Sequence, residues 1–153
     1  MYQPPHFRED TLEIQHGLIR AWPLGLLVSA GAGGLVADPV PFTLDATASD
    51  KGTLRCHLAR ANPHWRALQD VAECLIVFKG PDAYITPSWY ATKRDTAAVV
   101  PTWNYVTVHA WGRPTVIEDE GWLRAQVNAL TDQQERAFAE PWRVSDAPPA
   151  FVA

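Results

Sequence analysis

The chain has 153 residues, of which 47% are hydrophobic and 20% charged, so its composition is that of a globular protein and excludes a disordered or fibrous one. Its 13 Lys and Arg against 17 Asp and Glu give a net charge of -4, which argues against a general nucleic-acid binder, because such proteins need a basic excess or a dense basic stripe. The length predicts a single domain over residues 1–153.

The first part of the chain predicts a helix followed by two strands. The spacing of apolar residues indicates a helix over Asp10–Trp22, opened by a capping box of Asp10 with Glu13. Strands over Leu24–Ala30 and Leu35–Leu44 follow, joined by a glycine-rich turn. Two prolines in the second strand cannot donate ladder hydrogen bonds, so we expect it at a sheet edge or with a bulge.

The middle of the chain predicts a strand, a short helix and a hairpin. Apolar and polar residues alternate over Thr53–Arg60, which is typical of a strand with one buried face. An Asn-Pro pair then predicts a helix over His64–Leu68. Strands at Glu73–Lys79 and Tyr84–Pro87 flank a Gly-Pro-Asp sequence that we interpret as a turn.

The last part predicts two strands and two helices. Alternation indicates strands over Trp103–Gly112 and Thr115–Glu118, and Asp119 is a candidate cap for a helix that ends at Leu130. A second capping box, beginning at Thr131, predicts a further short helix before Pro141. About six antiparallel strands with helices at the start, middle and end favour a mainly β fold, a small barrel, over a doubly wound sheet.

Several kinds of site are excluded by the residues present. The glycine-rich run over 29–34 lacks a third glycine at the dinucleotide-binding spacing and precedes a strand, and there is no phosphate-binding Walker loop or Gly-x-Ser-x-Gly elbow. The histidines show no metal-ligand spacing, and Cys56 and Cys74 are expected to be buried thiols, which fits a reducing cytosol. The apolar stretch Leu24–Val40 is too broken for a membrane span, and no signal peptide is visible.

Two features indicate a phosphate-bearing planar ligand. Arg55 and Arg60 bracket one predicted strand, and a guanidinium can bind a phosphate through paired hydrogen bonds. Aromatic residues stand beside hydroxyls and an amide at 84–90 and 100–105, a mixture that suits both the faces and the edges of a heteroaromatic ring. Surface arginines and core aromatics would give the same patterns, so these residues alone leave both readings open.

Four blocks occur in order along most of the chain, at Met1–Phe7, His57–Trp65, Gly80–Tyr90, and Val100–Tyr105 with Val108–Ala110. Together they resemble the PaiB family of negative transcriptional regulators. The resemblance implies an antiparallel split β-barrel of the pyridoxamine-phosphate-oxidase-like superfamily, and a homodimer that holds FMN near the subunit interface. Family chains usually continue into a further helix and strand, so we expect this sequence to end before that segment.

The resemblance also implies a set of cofactor-binding residues. The strand that holds Arg55 and Arg60 supplies basic contacts to the FMN phosphate in the superfamily, and Leu58 is expected against the flavin. The full predicted set is Arg55, His57, Leu58, Arg60, Asn62, Ser88, Trp89, Tyr90, Lys93, Trp103 and Asn104.

Three functions remain open at this point. The first is an FMN-binding protein that acts as a flavin-dependent regulator or oxidoreductase, with His57 or His109 as a candidate proton donor. The second is a transcriptional repressor without catalysis, although the acidic balance and the lack of a helix-turn-helix pattern argue against direct DNA contact. The third is a split barrel that binds heme through one of the same two histidines.

Overall fold

Two antiparallel β-sheets form the centre of the computed structural model, which describes residues 1–148. The strands are β1 (Leu24–Gly31), β2 (Gly34–Pro41), β3 (Thr43–Asp45), β4 (Thr53–Arg55), β5 (Cys74–Ile85) and β6 (Thr102–Gly112). The helices are α1 (Leu12–Ala21), α2 (His64–Ala67), α3 (Thr92–Asp95) and α4 (Glu120–Glu135), with short 3-10 turns at Pro5–Phe7, Leu68–Asp70, Pro87–Trp89 and Val144–Asp146. One sheet has the strand order β2-β1-β5-β6 and the other pairs β3 with β4, so the prediction of a mainly β fold with peripheral helices is confirmed.

The β1–β2 hairpin confirms the predicted order of the first two strands. Gly31 pairs with Gly34, which leaves a two-residue turn, and Gly34 takes a φ of +97° that favours glycine. The glycine-rich run therefore joins two strands and does not open a helix. Pro39 and Pro41 lie in β2 at the edge of the four-stranded sheet, as their missing N–H groups require.

The core lies on one face of the four-stranded sheet, which we call the inner face. Leu27, Ile76 and Phe78 point to this face and pack with Phe42 and with Ile19 of α1. The rings of Phe42 and Phe78 meet edge to face with centroids 5.5 Å apart, a geometry that aromatic pairs prefer. The inner face thus fixes where α1 and the β3–β4 hairpin lie.

The opposite face of this sheet, the outer face, is apolar as well but exposed. Side chains alternate along each strand, so the neighbours of the core residues point outward. Leu24, Leu26 and Trp111 remain 63%, 40% and 52% exposed there. An exposed sheet face with this composition is typical of an interaction surface.

The predicted hairpin at Gly80-Pro81-Asp82 is wrong, because β5 runs straight through these residues. Its pairing with β6 continues on both sides, with a register shift between Lys79 and Asp82. A Cβ on Gly80 would lie 2.8 Å from Leu18 Cδ1, so a larger residue here would displace the end of that side chain of α1. The Gly-Pro pair therefore marks a β-bulge.

The predicted strand over Thr53–Arg60 ends at Arg55. Its partner β3 starts at Thr43, which pairs with Arg55. The N–H of the preceding residue, Phe42, donates to the carbonyl oxygen of Pro23, just before β1. Residues 56–60 consequently find no ladder partner. The strand predicted over Thr115–Glu118 is also wrong, since these residues join no ladder in the described part of the chain.

Both predicted capping boxes are wrong, although the cap at Asp119 is confirmed. Asp119 accepts a hydrogen bond from the N–H of Trp122, whereas α1 is capped by Thr11 with no side-chain hydrogen bond. Helix α4 continues through Thr131 to Glu135, because Gln126 and Gln133 lie on one helical face and both bond to the body of the protein. The predicted second helix is therefore the last part of α4.

None of the helices within residues 1–148 combines the length and apolar character that a bilayer crossing requires. The further helix and strand of the family were expected to follow Phe151, Val152 and Ala153. These three residues lie outside the described residues.

Candidate functional site

A cavity of about 890 Å³ lies between the inner face, α1, the β3–β4 hairpin and residues 113–117. We call it the larger cavity. Its walls are mostly apolar, and its charged lining residues are Lys51, Arg55 and Arg113, with no Asp or Glu among the described residues that line it. This is notable in a chain with a net charge of -4. A large apolar cavity with three cations suits an organic anion of the size of a cofactor.

Arg55 is held at this cavity by its neighbours. Its Nη2 lies 3.0 Å from Asp45 Oδ2, and its carbonyl oxygen accepts a hydrogen bond from the buried amide of Gln126. The N–H and hydroxyl of Thr47, followed by Arg55, hold the pKa of the Asp45 carboxyl below its ordinary value. A guanidinium carries five N–H donors, so Arg55 keeps donors for an anion after binding Asp45.

Lys51 is positioned by a histidine from α1. The buried His16 donates from Nε2 to the Lys51 carbonyl oxygen at 2.9 Å. The next residue, Gly52, takes a φ of +81°. Together these contacts fix the β3–β4 loop beside α1, and they bring Lys51 to the lining.

A second cavity of about 230 Å³, the smaller cavity, lies on the other side of residues 115–117. Its polar lining includes His57, Arg60 and Glu118, and its apolar lining includes Leu58 and Trp65. The Arg60 guanidinium lies 2.5 Å from Glu118 Oε2 and 5.2 Å from the centre of the Trp65 ring. Both cavities share the residues Cys56, Leu68, Thr115, Val116, Ile117 and Trp122 in their lining.

The structure divides the predicted cofactor-binding residues of this segment between the two cavities. Arg55 lines the larger cavity, whereas His57, Leu58 and Arg60 line the smaller one. The two arginines bind different carboxylates. Asn62 is occupied structurally, since its amide donates to Asp38 and its carbonyl accepts from the His64 N–H.

The remaining predicted residues lie around the far end of the β5–β6 ribbon. Lys93 donates to Ser88 Oγ at 3.0 Å, and Trp103 packs against Tyr84 with ring centroids 6.0 Å apart. The six residues of this group are Ser88, Trp89, Tyr90, Lys93, Trp103 and Asn104. All six are exposed, and within residues 1–148 no hydrogen bond or ion pair joins them to residues 55–62.

Cys74 is buried, as the sequence predicts, whereas Cys56 is half-buried and lines both cavities. Burial, followed by the nearby Cys74, raises the pKa of Cys56 to about 11. Burial likewise raises the pKa of Cys74. Both thiols therefore stay protonated near neutral pH, which makes them poor nucleophiles.

The two candidate histidines differ in their surroundings. His57 lines the smaller cavity, and its buried Nδ1 has no hydrogen-bond partner among the described residues. Burial, followed by the N-terminal ammonium, lowers the pKa of His109, which therefore favours its neutral form. Neutral His109 is better suited to accept a proton than to donate one.

A buried hydrogen-bond chain of Ser29, His64 and Asp38 was not predicted. Ser29 Oγ lies 2.8 Å from His64 Nε2, and His64 Nδ1 lies 2.8 Å from Asp38 Oδ2. The order of groups is that of a hydrolase triad, but Ser29 is only 3% exposed and lines neither cavity. We therefore assign the chain to stability. The sequence indicates such a chain only through one polar residue in each of two mostly apolar strands, Ser29 and Asp38. A buried polar group normally needs a hydrogen-bond partner.

Sequence reasoning also missed Lys51, Arg113 and Glu118. Lys51 lies within the polar turn between β3 and β4, and Arg113 follows Gly112 at the end of β6, so neither stands in a pattern that indicates a site. Lys51 and Arg55 come from one stretch of chain, and only the folding of this stretch against Arg113, a distant residue in the sequence, brings all three into one lining.

Comparison with known proteins gives one family and several relatives. The family described as "Putative FMN-binding domain" matches residues 1–153. An uncharacterized protein of Saccharomyces cerevisiae is 35% identical, over 92% of this chain and 94% of the yeast protein. An uncharacterized protein of Emericella nidulans is 33% identical, over 99% and 74% of the two chains. The Bacillus subtilis "Protease synthase and sporulation protein PAI 2" is 31% identical, over 92% of this chain and 65% of the Bacillus protein.

Proposed function

The chain belongs to the FMN-binding domain family that includes the PaiB-type proteins, with FMN as its cofactor, and from this premise we propose that the larger cavity is its FMN site. The lining carries the proposal, because it is mostly apolar and, among the described residues, Lys51, Arg55 and Arg113 are the charged side chains in it. FMN combines an apolar ring system with a phosphate dianion, and the volume of about 890 Å³ lies within the range of cofactor sites.

Arg55 is the proposed centre of phosphate binding, with Lys51 and Arg113 as additional cations. Arg55 is the residue of this trio that the family resemblance also selects. Its orientation is fixed before any ligand arrives, because Asp45 holds the guanidinium and Gln126 holds the backbone. When bound, FMN supplies electron-transfer chemistry, while the protein binds it, orients it and excludes water from its ring.

The split barrel of the family is the proposed form of the two sheets. Phe42 connects β2 directly to β3, so the sheets join at one corner. At another corner the chain leaves β6 and reaches Glu118, which binds Arg60 beyond the end of β4. These two connections enclose the larger cavity in the way that a partly open barrel would.

A homodimer is the proposed assembly, with the outer face as its interface. Leu24, Leu26 and Trp111 form an exposed apolar surface on that face. Strand β6, at the edge of the sheet, has no charged residue among its 11 residues, so charge does not protect this edge from pairing. In this assembly a second copy would cover the exposed aromatic residues at the end of the β5–β6 ribbon.

The biological role that we propose is that of a flavin-dependent regulator or oxidoreductase. The name of the Bacillus relative links that protein to protease synthase and sporulation, and it favours regulation as the second candidate. The net charge of -4 gives no support to direct binding of DNA. A heme-binding role has no support from the family match.

A comparison of FMN with riboflavin, which lacks the phosphate, tests the proposed site. We expect Arg55→Met to weaken FMN binding about 10- to 100-fold, because a charge-assisted hydrogen bond is lost, and to leave riboflavin binding almost unchanged. Flavin absorbance and fluorescence titrations measure both affinities. Arg8→Met is the matched control, since Arg8 forms an exposed ion pair with Asp10 and lines neither cavity.

Two results would count against the proposal. A wild-type protein that takes up no FMN would refute the site, and an equal loss of FMN and riboflavin in Arg55→Met would show general damage and no recognition of phosphate. The mass of the loaded protein in solution tests the assembly, which we expect at twice the chain mass of 17.0 kDa.

A further inference from the structure

We propose that the smaller cavity is a second ligand site, and that it binds a small, planar, uncharged molecule that carries a hydrogen-bond acceptor. Its position as a neighbour of the flavin rests on the proposed function, because only the larger cavity is assigned to FMN.

The size of the cavity limits the ligand to one or two rings. An engineered protein cavity of about 150 Å³ holds benzene, whereas most cofactor and drug sites exceed about 300 Å³. The smaller cavity measures about 230 Å³ and lies between these values. Its lining includes the indoles of Trp65 and Trp122, and aromatic side chains favour flat ligands.

The charge of the cavity selects an uncharged ligand. Arg60 and Glu118 are its only Arg, Lys, Asp or Glu lining residues in the described chain, and they bind each other at 2.5 Å. Glu118 lines this cavity beside Arg60, so a carboxylate ligand would meet an acid next to the cation and would lose part of its hydration on entering, whereas Asp45, the partner of Arg55, is not a lining residue of the larger cavity. The larger cavity, which has three cations and no Asp or Glu among its described lining residues, has the opposite preference.

Arg60 still has N–H donors available for a neutral acceptor. Its guanidinium is fixed by Glu118 on one side and lies over the Trp65 ring, with Arg66 also over that ring at 4.5 Å. One of its five N–H groups binds Glu118 in this arrangement, so the others can donate to a carbonyl oxygen or ring nitrogen. Glu118 is therefore the residue that sets the charge specificity.

The shared wall of the two cavities gives the second ligand a place beside the first. Cys56, Trp122 and residues 115–117 line both cavities, so the two cavities have part of one wall in common. A ligand there would alter the environment of a flavin in the larger cavity. This makes the smaller cavity a candidate subsite for the molecule on which the flavin acts.

Benzamide and benzoate test the proposal, because they share shape and size but differ in charge. We expect the wild-type protein without FMN to bind benzamide at least about tenfold more tightly than benzoate, measured by calorimetry and by quenching of tryptophan fluorescence. Glu118→Gln frees the charge of Arg60, so its benzoate affinity should equal or exceed its benzamide affinity. Glu120→Gln is the matched control, since it breaks the exposed pair of Glu120 with Arg124 and should keep the wild-type preference.

The outcomes separate this proposal from the proposed function. Absence of benzamide binding, equal affinities in the wild type, or the same response in Glu118→Gln and Glu120→Gln would overturn the second site. Benzamide added to the FMN-loaded protein should shift the flavin absorbance bands, and unchanged bands would overturn the adjacency. If the protein binds benzamide as expected but takes up no FMN, the proposed function fails while the second site stands.

Discussion

Replacing His64 with alanine should lower the free energy of unfolding by about 3–4 kcal/mol, because it leaves a cavity and an unpaired buried hydroxyl. His64 is 1% exposed, and its two ring nitrogens bond to Ser29 and Asp38 on neighbouring strands. The loss should appear as a lower midpoint in urea denaturation. Removing one bond with Ser29→Ala should cost less, about 1–2 kcal/mol.

His6→Ala is the matched control for this experiment. His6 lies in an exposed 3-10 turn and forms no side-chain hydrogen bond among the described residues. Its replacement should change the stability by less than about 0.5 kcal/mol. An equally small effect of His64→Ala would contradict the role that we assign to the buried chain.

The same chain makes stability depend on acid pH in a direction that can be worked out. The Asn62 amide, followed by His64, holds the pKa of Asp38 below its ordinary value of 3.8. The ionised carboxylate therefore stabilises the fold above pH 3.8, and this contribution disappears as the pH falls through the lower pKa of the folded state. Asp38→Asn should lack this part of the acid dependence when unfolding is followed from neutral to low pH.

The sequence predicts most elements of this fold where local patterns determine them. Alternation over 103–112 identifies β6, and the prolines identify β2 as an edge strand. The wrong predictions share one cause: contacts with residues distant in sequence override the local pattern. Gly80-Pro81 is a turn signal locally, but Leu18 of α1 and the pairing partner β6 turn it into a bulge. Residues 56–60 alternate like a strand, but the N–H of Phe42 is already bound elsewhere.

The candidate site shows the same limit. The family resemblance selects Arg55, His57 and Arg60 from one stretch of chain, but it does not indicate that they line two cavities. The carboxylates that distinguish the two arginines come from Asp45 in β3 and from Glu118 after β6. No local pattern relates these acids to the arginines, because the pairs form only when the two sheets meet.

Gly25→Ala should destabilise the protein by about 2–3 kcal/mol, whereas the same change at Gly17 should stabilise it by about 0.5–1 kcal/mol. A Cβ at position 25 would lie 2.6 Å from Ile76 Cγ2 and 2.8 Å from Phe78 Cε1, inside the packed core. A Cβ at position 17, within α1, would meet no atom within 4 Å. Alanine has less conformational freedom than glycine in the unfolded chain, so the helix loses less entropy when it forms. Urea denaturation of the two variants should therefore give midpoints on opposite sides of the wild type.

A second change at the clash site distinguishes overpacking from any other effect of losing Gly25. Ile76→Leu removes the Cγ2 methyl that the new Cβ would approach most closely, so Gly25→Ala should cost clearly less in that background than in the wild type. Residues in contact show such coupling, whereas distant pairs add. Additive losses for Gly25→Ala and Ile76→Leu would mean that β1 and β5 can move apart at this point. The tight inner face that supports α1 and the wall of the larger cavity would then not be as rigid as the proposed FMN site requires.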